Sequence, residues 1–383
     1  VSIAKKAFAY AKVLEDSLVF WYNPEDKLSL IPTKFYSGLT QAWYIKASAR
    51  LANIVDADNL ANLDMSFLEY TQKFFNSLKI PLNKKGVLLK KDFGWIVEEY
   101  PLDPPLYTLN GWLTVLRILI DSEKYMKRIE GIEKFIQNNL NAVKHLLPKY
   151  DAEFCLNTRY QLTGFSRFRL IFPANIIYDI SKFSIEIPGE GNYNGSLEKG
   201  KLNRWNNYVE RIDGRLLQFN IVMSLSPFPE LNQFMATIST NKTCKVRCFL
   251  VDGDYNPSLS AMPSTNWREL EPITMEEGLN NIKIPLMYDD KNMFAYPTNF
   301  NKDIHRGKGK KYNAYHFVHI VDLAIFYKYS KEKMFLNTCR KWLSYVDEWP
   351  KLSFIDSSMY SYEPYLGDQY KKNLRKLLGD ENE

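Results

Sequence analysis

The sequence predicts an α+β multidomain protein. An antiparallel β-sandwich, residues 165–300, interrupts a helical domain made of residues 1–164 and 301–383. Two observations carry this prediction. Apolar residues recur at helical spacing along most of the first stretch and again from Lys311 onward. Between them, Phe183–Ile187, Leu216–Leu225, Phe234–Thr240, Lys245–Val251 and Ile282–Leu286 alternate apolar with polar residues and are separated by Gly, Pro and Asn turns, the pattern of half-buried strands.

Taken in order, residues 1 to about 20 read as a helix, with Ala4, Phe8, Val13 and Leu14 on its apolar face, and Trp21–Pro32 as a loop. A helix is expected from near Tyr36 through Ala52, and another from an Asp64 cap to about Leu78. Val87–Leu89 and Phe93–Val97 read as a hairpin. Helices follow at about 104–122 and 124–146, the second stopping at Pro148. After the β-rich stretch, one helix should run from Lys311 to about Tyr329 and one from Lys331 to about Trp349, before a charged, frayed tail at 371–383.

The stretch Glu98–Trp112 organises the helical domain. Two adjacent carboxylates and Tyr100 precede Pro101, Pro104 and Pro105, and an apolar run follows. Asp103 is a natural N-cap, with Pro104 at the first helical position, where a missing N–H costs nothing. Glu98, Glu99 and Tyr100 then sit on an extended segment against a buried helix, a rigid place to hold reactive groups.

Composition excludes several classes. Charged residues are 25% and hydrophobic ones 45%, which rules out wholesale disorder. The net charge of +6 favours an anionic partner through long-range steering, but no run of Lys/Arg is dense enough for a nucleic-acid stripe. The densest basic cluster, Arg306, Lys308, Lys310 and Lys311 with Gly307 and Gly309, reads as a flexible or anion-binding loop. Cys155, Cys244, Cys248 and Cys339 show no zinc-site pairing, so free buried thiols are expected. No apolar run is long enough to span a bilayer. No secretory signal is visible, which tips the expectation towards the cytoplasm; a processed start leaves secretion or the periplasm open.

Four segments together resemble the D-glucuronyl C5-epimerase family. Phe35–Ala42 is similar to the aromatic-Tyr-Ser opening of its first long helix, with Gln41 facing a substrate groove in that likeness. Trp95, Glu98–Pro101 and Leu109–Trp112 resemble its central Trp…Glu-Glu-Tyr-Pro…Leu-Asn-Gly-aromatic pattern. Leu146–Leu162 resembles its Leu-Pro-x-Tyr-Asp segment, placing Tyr160 on a tyrosine the family uses, and Tyr312–Ile320 its aromatic-x-Tyr-His-x-x-His-Ile. The resemblance implies an incomplete (α/α) helical toroid for the helical domain. It does not cover the β insertion, where Gly278–Leu286 is similar to the last strand of many β-sandwich carbohydrate modules. One departure stands out: where related epimerases carry an arginine three residues after the tyrosine, this chain has Thr163, with Arg159 and Arg167 as substitutes.

The activity implied is C5 epimerisation of D-glucuronate to L-iduronate residues in a uronic-acid, heparan-like polysaccharide, with no cofactor or metal. Proton removal at C5 and return from the opposite face need two groups on opposite sides of the sugar, and the charge developing on the carboxylate needs donors or cations. The likeness puts Tyr100, Tyr160, Tyr315 and Glu99 in the catalytic set. It puts Tyr36, Gln41, Trp95, Asn110, Arg159, His316 and His319 in contact with substrate. A tyrosine acting as base needs a neighbouring cation, since its ordinary pKa is about 10. Tyr315 and His319 share a helix face, and a His pair three apart also fits a metal, but no third ligand cluster accompanies it. The inserted domain could close the cleft, with Arg306 or Tyr312 completing the site. The alternatives are a polysaccharide lyase acting by β-elimination, which shares the first step, and a non-catalytic polysaccharide-binding protein. The partner in every case is an anionic uronic-acid polysaccharide; a homodimer is compatible with the sequence.

Overall fold

The computed structural model describes residues 2–23, 34–54, 65–102, 105–153, 156–188, 191–198, 207–224, 232–252, 266–286, 301–302, 311–312 and 314–349. The chain divides into two compact units, Val1–Tyr160 with Pro297–Glu383, and Gln161–Tyr296.

The first unit opens with a short helix, α1 (Ser2–Phe8), and not the 20-residue helix expected. Glu15 adopts a left-handed φ of 50°, and the chain reverses there so that β1 (Lys12–Leu14) pairs with β2 (Ser17–Val19). Val13 and Leu14 therefore belong to a hairpin. Phe8 anchors α1 by packing against Tyr70 and Phe74 at ring-centroid distances of 4.7 and 5.2 Å. Helix α2 (Gly38–Ala52) begins two residues later than expected. Helix α3 (Phe67–Ser77) starts from Ser66, whose hydroxyl accepts the Glu69 N–H while Glu69 reaches back to the Ser66 N–H. This capping box sets the start; Asp64 lies outside the described residues.

Strands β3 (Leu88–Lys91) and β4 (Gly94–Val97) form a tight hairpin. Gly94, at φ 145°, lets it lie on the following helical layer: a Cβ there would come within 2.4 Å of the Asn138 carbonyl. Helix α4 (Leu109–Ser122) starts after Thr108, five residues beyond the expected position, and Asp103 and Pro104 lie outside the described residues. Helix α5 (Ile132–Tyr150) runs through Pro148 instead of stopping at it. The ring forfeits one helical hydrogen bond, but the last turn is held by the fully buried Tyr150. A two-strand hairpin follows, β5 (Asp151–Ala152) with β6 (Asn157–Thr158).

The second unit holds nine strands among its described residues: β7 (Thr163–Ile171), β8 (Tyr178–Ile187), β9 (Gly191–Asn194), β10 (Tyr208–Arg211), β11 (Leu216–Ser224), β12 (Gln233–Thr240), β13 (Cys244–Asp252), β14 (Asn266–Met275) and β15 (Gly278–Pro285). They form two antiparallel sheets, ordered β10-β11-β7-β13-β14 and β15-β12-β8-β9. Period-two alternation decides which side chains are buried. Phe168, Leu170, Phe219 and Leu250 of the first sheet join Phe183, Ile185, Phe234 and Ile238 of the second in a single apolar cluster. Cys244 and Cys248 on β13, and Cys339 in the helical unit, are buried free thiols.

The chain then returns to the helical unit as α6 (Ala314–Ser330) and α7 (Lys333–Glu348). Helix α6 starts three residues later than expected. It is apolar on nearly every face because it packs between α4 and α7. Its one buried carboxylate, Asp322, is paired with Arg117 Nη1 of α4 at 3.1 Å and accepts from Thr114 Oγ1 at 3.3 Å. Burial nevertheless pushes the Asp322 carboxyl up to about 7. Among the described residues no helix is long and apolar enough to cross a membrane.

Candidate active site

The site is built on the edge of the helical unit where β4 runs into α4. The Glu98 N–H donates to the Val87 carbonyl at 2.8 Å, continuing the hairpin by one residue. Gly38, at the start of α2, comes so close that a Cβ would lie 2.5 Å from Val97 Cγ1 and 2.9 Å from the Glu98 carbonyl. Two elements thus clamp the backbone that carries the carboxylates.

Glu98 and Glu99 point to different tasks. Glu98 is fully buried. Its carboxyl lies over the amides of Leu106, Tyr107 and Thr108, with Oε1 accepting the Tyr107 N–H at 3.0 Å. Burial, aided by the Glu99 charge, pushes it up to about 8. Tyr107 holds a left-handed φ of 56°, a strained conformation for an aromatic residue, and its carbonyl accepts the Tyr150 hydroxyl at 2.7 Å. Glu98 and Tyr150 thereby fix the bend that aims α4.

Glu99 lies against the first turn of that helix. Gly111 makes room for it: a Cβ there would stand 2.3 Å from Glu99 Oε2 and 2.7 Å from Glu99 Cβ. Burial pushes the Glu99 carboxyl up to about 7, against the opposing effect of a hydrogen bond from the Tyr100 hydroxyl. Its proton affinity is thus raised towards the neutral range, which suits a group that takes and returns a proton.

Around Glu99 stand three tyrosines. Tyr100 is its hydrogen-bond partner and is half-buried. Tyr160 is tied to α4 twice, its carbonyl accepting the Leu109 N–H at 2.9 Å and its hydroxyl bonding the Asn110 side chain. Tyr315, the second residue of α6, is 43% exposed and packs on Tyr160 with ring centroids 5.0 Å apart. All three hydroxyls are raised above the ordinary tyrosine value, by burial first and then by the Glu99 charge. For Tyr160 only the Asn110 hydrogen bond works the other way. The cation expected beside these tyrosines is not found among the described residues. They stay protonated at neutral pH.

The remaining residues singled out from the sequence lie elsewhere. Tyr36 is fully buried and donates to the Ser77 carbonyl at 2.7 Å. Gln41, also fully buried, donates to the Leu18 carbonyl and Ser77 Oγ, both at 2.7 Å, and accepts the Phe20 N–H at 3.2 Å. It staples the N-terminal hairpin to α2 and α3 and does not face a groove. Trp95 sits on β4, edge-on to Phe135 and under Lys90 Nζ, packing the hairpin on α5. Arg159 is 2% exposed and its Nε donates to the Lys149 carbonyl at 3.1 Å, capping the end of α5. His316 and His319 turn inward from α6 and are fully buried. Burial lowers both, His316 to about 4, so neither carries charge at neutral pH.

Thr163 opens β7 and is buried; Arg306 lies outside the described residues. Among the described residues no group of three or more His, Cys, Asp or Glu side chains is placed to hold a metal. Sequence reasoning missed Gly111 and Tyr150, although both stood inside quoted motifs; a glycine in the first turn of a helix was the available signal.

Residues 22–181 match the family model described as D-glucuronyl C5-epimerase C-terminus. The match includes Glu99, Tyr100, Asn110 and Tyr160 and stops before Tyr315. No curated protein matches the chain.

Proposed function

We propose, from the match of residues 22–181 to the family model described as D-glucuronyl C5-epimerase C-terminus, that the chain converts D-glucuronate to L-iduronate residues within a uronic-acid polysaccharide. The observation that carries the proposal is the gathering of Glu99, Tyr100, Tyr160 and Tyr315 around one rim, with a carboxyl near 7 among hydroxyls that stay protonated. No cofactor enters the mechanism.

In this mechanism ionised Glu99 takes the C5 proton, and the electron pair of the C–H bond moves into the uronate carboxylate as an enediolate. The hydroxyls of Tyr100 and Tyr160 and the Asn110 amide donate to the oxygens where charge grows, as preorganised donors do in a dry site. Tyr315, the most exposed of the set, delivers its proton to C5 from the opposite face. Glu99 then holds a proton and Tyr315 is a phenolate. Tyr315, 43% exposed, regains its proton from solvent, and Glu99 releases its own to solvent before the next turnover, which resets the site.

The same proposal takes the helical unit as an incomplete (α/α) toroid and the β unit as a sandwich. Support comes from helices that pack on one another, α2 on α3 and α4, and α6 on α4 and α7, and from the two sheets' single apolar cluster. The net charge of +6 favours approach of the polyanion.

The test is incubation with de-sulfated glucuronate polymers in deuterated water, followed by NMR and ultraviolet absorbance. Deuterium at C5 with new iduronate signals and no unsaturated product is expected, and Glu99→Gln and Tyr315→Phe should each lose about 10²–10⁴-fold in rate. Growth of ultraviolet absorbance would show β-elimination instead. Silence in both channels across the polymers would overturn the enzymatic reading.

A further inference from the structure

The outer face of the five-stranded sheet in the second unit carries two arginines side by side. Alternation along β7 sends Phe168 and Leu170 into the apolar cluster, so Arg167 and Arg169 share the opposite face. In the register, Arg169 stands between Gln218 of β11 and Phe249 of β13, and Arg167 stands beside Asn220 of β11. The Arg169 guanidinium lies over the Trp267 ring of β14 at 3.6 Å, and its Nε donates to Gln218 Oε1 at 2.9 Å. Stack and hydrogen bond together fix the plane of that fork. Its Nη hydrogens have no acceptor among the described residues, and Arg167 makes no hydrogen bond or ion pair among them. Nearby Arg247 is different: its Nε and Nη2 donate to Glu269 at 2.7 and 3.1 Å.

We propose that this sheet face is a second, non-catalytic site for an acidic polysaccharide, with Arg167 and Arg169 holding a uronate carboxylate. Like charges set side by side on one strand face repel, and a bound carboxylate removes that cost. Burial, and then the Arg167 charge, already weaken the hold of Arg169 on its proton. The surrounding groups suit a sugar acid. Arginine forks match a carboxylate, the Gln218 amide bonds hydroxyls, and the Phe249 and Trp267 rings give apolar area, all of them half-buried and within reach of solvent. Glu210 of β10, opposite Gln218, and Glu269 border the patch. These two carboxylates repel a densely charged polyphosphate, whereas a uronate chain spaces its charges widely enough to seat one between them. A tether of this kind raises the effective concentration of polymer around the enzyme without touching the chemical step. An anionic sugar as the ligand class rests on the sheet face; the choice of a glucuronate polymer rests on the epimerase proposal.

The experiment is calorimetric titration of the full chain with a de-sulfated glucuronate polymer at about 0.15 M salt, beside the C5 exchange assay on the polymer and on a short oligosaccharide. Replacing both arginines, Arg167→Gln with Arg169→Gln, should weaken polymer binding by about tenfold or more. It should raise KM for the polymer and leave kcat, and both constants on the oligosaccharide, unchanged. Should the double variant fail to fold, Arg167→Gln alone decides, because that side chain makes no hydrogen bond among the described residues; it should weaken polymer binding about threefold or more. Polymer affinity equal to wild type would overturn the inference, as would a lower kcat on the oligosaccharide or wild-type binding to duplex DNA as tight as to the polymer. The titration needs no turnover. Binding that depends on the arginines without C5 exchange overturns the epimerase proposal and leaves this site standing, whereas exchange with unaltered binding in the variants overturns this site alone.

Discussion

Replacing Gly111 by alanine separates the fold from the chemistry. A Cβ at this position stands 2.3 Å from Glu99 Oε2, and ordinary van der Waals contact begins at 3.4 Å, so the carboxyl must retreat by about 1.1 Å. It cannot do so by swinging its far end alone, because Glu99 Cβ is only 2.7 Å away. On stability two effects oppose each other. Alanine in a helix is worth about 1 kcal/mol over glycine, and overpacking costs about 1–3 kcal/mol, so net destabilisation should stay near 0–2 kcal/mol. On activity nothing opposes the loss, since a displacement of about 1 Å in a reacting group costs on the order of 10²-fold. Urea unfolding followed by the deuterium-incorporation assay reads both quantities. A Gly111→Ala variant with full exchange at C5 would refute the placement of Glu99 as the proton acceptor.

Other expectations follow from the buried groups behind the site. Glu98 has its folded pKa raised from 4.5 to about 8. Below pH 4.5 both folded and unfolded forms hold the proton; between the two values only the folded form does, so stability falls as pH rises and the loss is complete above pH 8. The span corresponds to roughly 3–5 kcal/mol. Glu98→Gln should therefore flatten the pH dependence of unfolding free energy between pH 5 and 9, and an unchanged slope would mean that Glu98 does not carry it. Tyr150→Phe removes the hydroxyl that the Tyr107 carbonyl accepts at 2.7 Å, and should cost about 1–3 kcal/mol in the same unfolding assay; a cost below about 0.5 kcal/mol would show that the left-handed bend holds without it.

What could be read from the sequence depended on whether a pattern has one physical cause. The alternation of Phe183, Ile185 and Ile187 has one, a strand with a buried face, and β8 has that burial pattern. The spacing of Ala4, Phe8, Val13 and Leu14 has two, and a two-residue reversal at Glu15–Asp16 turned the second half into a hairpin. Caps were misplaced for a similar reason. Asp64 and Ser66 are both good N-caps, but only Ser66 has a glutamate three residues on to complete the box. At the site, Glu99, Tyr100, Tyr160 and Tyr315 were legible through motifs and do come together. Tyr36, Gln41, Arg159, His316 and His319 were grouped with them, yet each turns a polar atom to backbone or to a buried neighbour. A motif cannot separate these cases, because a side chain that grips a sugar and one that grips a carbonyl need the same donors.

The interruption of the helical unit has a consequence for biosynthesis. Helix α4 is covered by α6, through the Arg117–Asp322 pair among other contacts, yet Asp322 is made 205 residues after Arg117. At roughly 5–20 residues per second of synthesis, the apolar side of α4 waits on the order of ten to forty seconds for its cover. Over that interval the nascent first unit is an unfinished body with a sticky flank, and the strands of the second unit emerge beside it. A ribosome that pauses after Tyr296 would lengthen the exposure, and rapid translation of 314–330 would shorten it. Among the described helices, the two made last, α6 and α7, include the one that covers α4.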